Sequence, residues 1–179
     1  MTDNLIQNFD TAALYNALDE KRIKLGLSWN AVAKEIWDIA AELNRERPSD
    51  HPFSPSTIKN RNEKHRTSCM HGLVMLHWLN VSPECFLVNP PPNAKDIKLP
   101  KLGSDRRPRW SLKRMYQAAN QKRQLERLSW SEVATILGCS PNQLTGLKSA
   151  KFATNINLAM RIVQWTGKQS TDFMYAAKW

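Results

Sequence analysis

Two neighbouring carboxamides, Asn142 and Gln143, directly follow the dipeptide Ser140-Pro141. A carboxamide donates and accepts hydrogen bonds at once, so it can pair bidentately with the edge of an adenine, which a charged side chain cannot do. Serine is typical of a helix N-cap and proline of the first helical position, so both amides are expected in the first turn of a helix. What they can contact depends on the elements that hold this helix.

Those elements occur twice in the chain. A shift of 101 positions lays Leu14–Ile36 over Met115–Leu137 with nine identities in 23 pairs. The identical pairs are Tyr15/Tyr116, Ala17/Ala118, Lys21/Lys122, Arg22/Arg123, Leu27/Leu128, Ser28/Ser129, Trp29/Trp130, Val32/Val133 and Ala33/Ala134. Further along, Ser54-Pro55 matches Ser140-Pro141, Trp78 matches Trp165 and Phe86 matches Phe173. Repetition at this spacing indicates two copies of one folding unit.

Helical periodicity and capping residues predict the same series of helices in both units. In unit one we expect helices over Thr11–Leu25, from Trp29 to about Asn44, over Pro55–Lys64 and over Met70–Leu79. In unit two we expect them over Ser111–Arg127, Trp130–Leu137, Pro141–Ser149 and Asn157–Thr166, with a stop at Gly138. Each unit then ends in a short fifth helical turn, and unit one carries 15 extra residues before its third helix. No period-two strand pattern occurs, so the predicted class is all-α.

The predicted units are residues 1–87 and 110–179, and residues 88–109 between them form a proline-rich, basic linker. The linker holds five of the ten prolines, which favours an extended, polyproline-like chain over a helix. The net charge of +10 is uneven, with −1 on unit one, +4 on the linker and +7 on unit two. A polyanion is therefore expected to be attracted to the linker and to unit two more than to unit one. Trp110 and Trp179 have no counterpart in the repeat, and we expect them to dock the linker end and the tail or to join the units.

The order of the motifs carries a family resemblance. Unit one reads Leu27-Ser28-Trp29-Asn30-Ala31-Val32-Ala33 and then Ser54-Pro55-Ser56-Thr57-Ile58, and unit two reads Leu128-Ser129-Trp130-Ser131-Glu132-Val133-Ala134 and then Ser140-Pro141-Asn142-Gln143-Leu144. Over most of residues 11–87 and 111–174, each unit resembles the XRE-like helix-turn-helix regulators of the Cro and phage-repressor type. The resemblance implies two tandem five-helix, lambda-repressor-like domains. The 15-residue insertion, the acidic first unit and Arg61 at the position of Leu147 depart from the pattern.

The resemblance also implies that the third helix of each unit enters the major groove of double-stranded DNA. In unit two it implies base contacts from Asn142, Gln143 and Thr145, and backbone contacts from Ser129, Ser131, Lys148 and Lys151. In unit one the corresponding residues are Ser56, Thr57, Lys59 and Asn60 at the bases, with Arg61, Lys64 and Arg66 at the phosphates. The alternative at each position is an ordinary exposed polar side chain.

Three arginines, Arg106, Arg107 and Arg109, lie close together in the linker. Short arginine-rich arms enter narrow minor grooves in other DNA-binding proteins, so this segment is a candidate for the same contact. A solvated basic linker is the alternative, and the composition favours it slightly.

The remaining reactive residues form no recognised catalytic or metal site. His65, Cys69, His71 and His77 lack the paired spacing of zinc ligands, and His77 is expected to face the interior. We find no nucleophile elbow, phosphate loop or paired carboxylates, and we expect neither catalysis nor a cofactor. Three scattered cysteines are expected to be reduced, and no apolar run reaches the roughly 18 residues of a membrane span. The expected location is the cytoplasm, without membrane attachment.

The sequence therefore predicts a DNA-binding transcription regulator, of the repressor or mobile-element kind, that reads the major groove with helix three of unit two. Helix three of unit one is a second candidate for the same role. Two DNA-binding units joined in one chain could bind two half-sites, in either inverted or direct orientation. The alternative is a protein-binding antiactivator or antitoxin-like protein, in which unit one forms a homodimer or holds a protein partner.

Overall fold

A computed structural model describes residues 6–58, 67–150 and 154–178. The helices of unit one are α1 Thr11–Lys24, α2 Trp29–Asp38, α3 Ala41–Glu46, α4, described over residues 55–58, and α5 Cys69–Leu79. The helices of unit two are α6 Leu112–Leu125, α7 Trp130–Leu137, α8 Pro141–Thr145 and α9 Ile156–Thr166. Single 3-10 turns lie at Pro83–Phe86, Ala94–Asp96, Gly146–Lys148 and Ser170–Phe173. The described chain is mostly helical, as predicted, and none of the helices within it is both long and apolar enough to cross a membrane.

Side-chain caps start the helices where the sequence predicts them. Ser28 and Ser129 each accept a hydrogen bond from the backbone N–H three residues further on. Ser140 does the same for α8, whose first residue is Pro141. Gly138 ends α7 in the left-handed conformation at φ 60°, which a residue without a Cβ adopts at no steric cost. Only a two-residue turn therefore separates α7 from the cap of α8.

The repeat in sequence is also a repeat in structure, because the two units make the same internal contacts. The rings of Tyr15 and Trp29 stack at 5.4 Å, and the rings of Tyr116 and Trp130 stack at the same distance. The shared hydrogen bonds run from Arg22 to the carbonyl of Leu27 and from Arg123 to the carbonyl of Leu128.

The predicted second helix of unit one is wrong in its extent, because it is two helices. α2 ends at Asp38, and α3 begins at Ala41. The carbonyl of Ser104 in the linker accepts the backbone N–H groups of Glu42 and Leu43 at 3.0 and 3.2 Å. The first turn of α3 is thus capped by the linker, and the insertion of unit one packs on its own chain.

The end of the linker pairs with the C-terminal segment, which the sequence did not predict. β1 (Arg107–Trp110) runs antiparallel to β2 (Met174–Ala177). Unit one has a single bridge at the corresponding place, between Phe9 and Leu87. The predicted helical class is confirmed, and the described residues add one two-stranded sheet to it. Strands of four residues alternate too few times to be recognised from sequence.

The two units meet through equivalent residues at the starts of α5 and α9. The N–H of Cys69 donates to the carbonyl of Thr154, and the N–H of Ile156 donates to the carbonyl of Thr67, both at 2.8 Å. Cys69 and Ile156 hold the same place in the repeat, and so do Thr67 and Thr154. Reciprocal contacts of this kind are the mark of a twofold axis, so an approximate dyad relates unit one to unit two. We call the four residues the dyad ladder.

The segment before the first helix of each unit packs on the other unit. The N–H of Phe9 donates to Oδ1 of Asn157 in α9 at 2.8 Å, and the N–H of Trp110 donates to Sδ of Met70 in α5 at 3.5 Å. Trp110 thus has a structural counterpart in Phe9, which the sequence comparison missed. Trp179 lies outside the described residues. Buried side chains of both units form a single hydrophobic core, so we expect the chain to fold as one cooperative body.

His77 in α5 faces the interior, as predicted, and its Nε2 is buried with no hydrogen-bond partner in the described part of the chain. At the equivalent position of α9, Gln164 exchanges two hydrogen bonds with the backbone of Gln7. Pro108 holds the place of Gln7 in unit two, and it has no N–H to donate.

Burial lowers the pKa of His77 to about 4, and this shift makes stability depend on pH. The folded protein holds a neutral imidazole, whereas the unfolded chain takes up a proton near pH 6.5, so stability is complete above about pH 6.5 and falls below it. Between about pH 7 and pH 5 we expect the wild type to lose roughly 2 kcal/mol more unfolding free energy than His77→Gln. Urea unfolding at both pH values measures this, and equal losses in the two proteins would contradict it.

Candidate nucleic-acid interface

The first turn of α8 turns its polar side chains outward. Leu144 and Leu147 are buried, which fixes the rotation of the helix. Asn142 and Thr145 are exposed on the opposite side. The hydroxyl of Thr145 donates to the carbonyl of Pro141 at 3.2 Å, so its hydrogen is used within the helix. Asn142 is therefore exposed on the side of α8 where the sequence predicts a base contact, and Thr145 is left with an acceptor and a methyl group.

Gln143 is exposed but its amide is already engaged. Its Oε1 accepts the N–H of Ser140 at 2.9 Å and the hydroxyl of Ser140 at 3.2 Å, while the hydroxyl oxygen of Ser140 accepts the N–H of Gln143. This is a capping box, a reciprocal pair of contacts that starts a helix. Bidentate pairing by Gln143 would break the cap, so the predicted base contact of Gln143 competes with helix capping. The Ser-x-x-Gln spacing was a readable signal for this role.

Ser129, a predicted phosphate contact, is engaged in the same way. Its N–H and its hydroxyl both donate to Oε2 of Glu132 at 2.7 Å. These hydrogen bonds lower the pKa of Glu132, so the start of α7 carries a carboxylate. A negative charge at this place opposes phosphate and weakens the predicted contact. Ser131 is exposed beside it.

In unit one the structure describes only part of the predicted contact surface. Ser56 is exposed and Thr57 is half-buried, and the hydroxyls of both lie within hydrogen-bond distance of the Ser54 hydroxyl. Five predicted contacts of this unit lie outside the described residues, namely Lys59, Asn60, Arg61, Lys64 and Arg66.

The predicted basic contacts of unit two follow α8 directly. Lys148 is exposed at the end of the 3-10 turn that continues α8. Lys151 lies outside the described residues. The third helix is shorter than predicted, because α8 ends at Thr145 and a tighter turn replaces its last residues.

The linker arginines do not form a free arm. Arg107 pairs with Asp50 at 2.6 Å and donates to Oδ1 of Asn44 at 2.6 Å. Its guanidinium also lies over the ring of Trp37, 4.7 Å from the centroid. Arg109 is half-buried in the same strand, and Arg106 contacts the carbonyl of Ala176. The predicted minor-groove arm is therefore corrected, because strand pairing and the insertion of unit one hold the segment against the fold.

α8 lies next to the approximate dyad. Asn142 and Gln143 line the same surface groove as Thr154 and Asn155, and Asn155 forms a β-bridge with Ser68 of unit one. In unit one, Thr57 of α4 and His71 of α5 line a shared pocket, so the start of α4 also lies near the start of α5. The described parts of both predicted recognition helices thus lie close to the dyad ladder.

The residues weighed as metal ligands do not come together in the part of the chain described. His65 lies outside it, and no group of three His, Cys, Asp or Glu residues within it is placed to hold a metal ion. Cys69, Cys85 and Cys139 are free thiols. No family model, curated protein or solved structure matches the chain.

Proposed function

We propose that this protein is a sequence-specific DNA-binding transcription regulator in which two helix-turn-helix units of one chain act as the two halves of a dimer. The observation that carries the proposal is the approximate dyad at the starts of α5 and α9. Helix-turn-helix dimers use such a dyad to present two recognition helices to successive major grooves. A single chain that supplies both halves needs no second copy.

The geometry of unit two supports the proposal. A two-residue turn separates α7 from the cap of α8, two buried leucines anchor α8, and Asn142 is exposed at its start. The net charge of +7 on this unit favours approach to a polyanion. Lys148 follows α8 at a place suited to a phosphate contact.

The dyad favours inverted half-sites over direct ones, because a twofold axis gives the second recognition helix the opposite orientation along the DNA. The two readers differ, however, since Ser56 and Thr57 hold the places of Asn142 and Gln143. We therefore expect a pseudo-palindromic site whose halves are unlike, with an adenine preference in the half read by Asn142.

The antiactivator or antitoxin-like alternative rests on unit one as a surface for another protein. In this structure the insertion of unit one packs on the linker, through Ser104 and through the Arg107–Asp50 ion pair. The insertion thus has a role within its own chain, which weakens the main argument for a partner.

Selection of ligands from random-sequence duplex DNA, followed by affinity measurements at increasing salt, tests the proposal. We expect an enriched motif and a loss of affinity of roughly 100-fold or more between about 50 and 200 mM salt, because neutralised phosphates release counterions. Enrichment of no motif, together with a protein partner that co-purifies in stoichiometric amount, would favour the alternative.

A further inference from the structure

A pocket of about 420 Å³ lies between unit one and β1, the strand at the end of the linker. α2, the loop before α4 and the first half of α5 form three of its sides, and β1 closes the fourth. Its volume is in the range of sites for small organic ligands. The insertion supplies part of the wall, and unit two lacks this insertion.

Most of the wall is apolar or aromatic. Ile36 and Ile39 contribute from the α2 side, and Phe53 contributes from the loop. Met70 and Val74 contribute from α5. The ring of Phe53 meets the ring of His71 edge-on at 5.8 Å, which gives a flat ligand an aromatic surface to lie against.

Positive charge collects on the side formed by β1. Arg107 and Arg109 both line the pocket, and no acidic residue is among the described residues that do so. The charge of Arg107 is balanced by Asp50 behind the wall, and its Nε is buried without a hydrogen-bond partner in the described chain. Burial, followed by the charge of Arg107, lowers the pKa of Arg109, and a bound carboxylate would offset the repulsion between the two guanidinium groups.

We propose that this pocket binds a small aromatic carboxylate, with its ring among Phe53, Met70 and Val74 and its carboxylate toward Arg109. A guanidinium binds a carboxylate with two parallel hydrogen bonds, and an apolar wall binds the ring. An inorganic anion would make no contact with the apolar wall, and a neutral aromatic compound would form no ion pair with Arg109. Only an aromatic acid matches both parts of the pocket.

The position of the pocket suggests what binding would do. Ser54 and Thr57, at the start of α4, line it, and so does the strand that packs on α5 across the dyad. A bound ligand would therefore set the position of one recognition helix relative to the other and change DNA affinity. This effect on DNA rests on the proposed function, whereas ligand binding does not.

Calorimetry and thermal shift on the full chain without DNA test the binding. The probes are salicylate, phenylacetate and indoleacetate, each compared with its uncharged amide and with inorganic phosphate. We expect at least one acid to bind and to raise Tm, and its amide to bind about 10-fold more weakly.

Three variants locate the site. Arg109→Gln should weaken the acid about 10-fold, and Val74→Trp should block it by filling the pocket. Arg106→Gln is the matched control, because Arg106 contacts Asp105 and Ala176 and does not line the pocket. The affinity of this variant for the acid should stay within about twofold of wild type. The proposal is overturned if no acid binds at about 1 mM, if acid and amide bind equally, or if Arg109→Gln has no effect. Binding of the acid by a protein that selects no DNA motif would leave this site standing and remove the proposed function.

Discussion

Replacing Asn142 by alanine is expected to weaken specific DNA binding by roughly 10–100-fold, because a good bidentate contact discriminates by about 1–3 kcal/mol. Affinity for unrelated DNA and its salt dependence should not change, since phosphate contacts supply both. The side chain is exposed at the start of α8, so Tm should also stay constant. Binding isotherms on the selected duplex and on a scrambled duplex measure the effect.

The repeat offers a matched control for this variant. Ser56 holds the place of Asn142 in unit one, and its hydroxyl already contacts Ser54, so Ser56→Ala should cost less than about threefold. Gln143→Glu keeps a side chain that can close the capping box but places a negative charge beside the DNA, so it should keep Tm and lose affinity. If Asn142→Ala binds the selected duplex as tightly as wild type, Asn142 of α8 does not make the proposed base contact.

Replacing Trp110 by alanine is expected to lower the unfolding free energy by about 3–5 kcal/mol, with a fall in Tm of roughly 6–20 °C. Trp110 is 1 % exposed and packs against Met70 of the other unit, so its loss leaves a cavity in the shared core. Because the variant loosens one unit from the other, it should also weaken binding to a complete site more than binding to one half-site. Denaturant unfolding and isotherms on both duplexes measure these effects.

Trp110→Phe is the control, because phenylalanine holds the equivalent place in unit one at Phe9. The indole N–H of Trp110 is buried without a partner among the described residues, so no hydrogen bond is lost, and we expect a cost below about 1.5 kcal/mol. A wild-type protein that unfolds in two separate transitions, with Trp110→Ala affecting only one, would contradict a single cooperative core.

Local features of this fold could be read from the sequence because they depend on neighbouring residues. The caps at Ser28, Ser129 and Ser140 and the left-handed Gly138 follow from residue type and spacing, and the structure confirms them. The repeat predicted equivalent helices, and the stacked pairs Tyr15–Trp29 and Tyr116–Trp130 confirm that the units are equivalent.

The arrangement between the units could not be read from the sequence. The dyad ladder joins residues about 87 positions apart, and each of its hydrogen bonds is made by backbone atoms that leave no pattern in sequence. The break between α2 and α3 likewise depends on the carbonyl of Ser104, which lies in the linker. Only the folded chain brings such groups together.

The candidate site shows where interpretation of motifs goes wrong. Gln143 and Ser129 fit both a DNA contact and a capping box, and the capping box is what the described structure contains. Arg107 and Arg109 fit a basic arm by composition, but strand pairing places them beside Asp50 and the pocket. Local helix chemistry takes precedence here because a cap satisfies backbone groups in every molecule, with or without DNA.

Hydroxyl-radical footprinting of the selected duplex, with the stoichiometry of the complex measured by mass, tests most directly whether one chain acts as a dimer. We predict one chain per duplex and two protected patches of inverted orientation, with centres about one helical turn apart. A single protected patch, two patches in direct orientation, or two chains per duplex would contradict the account.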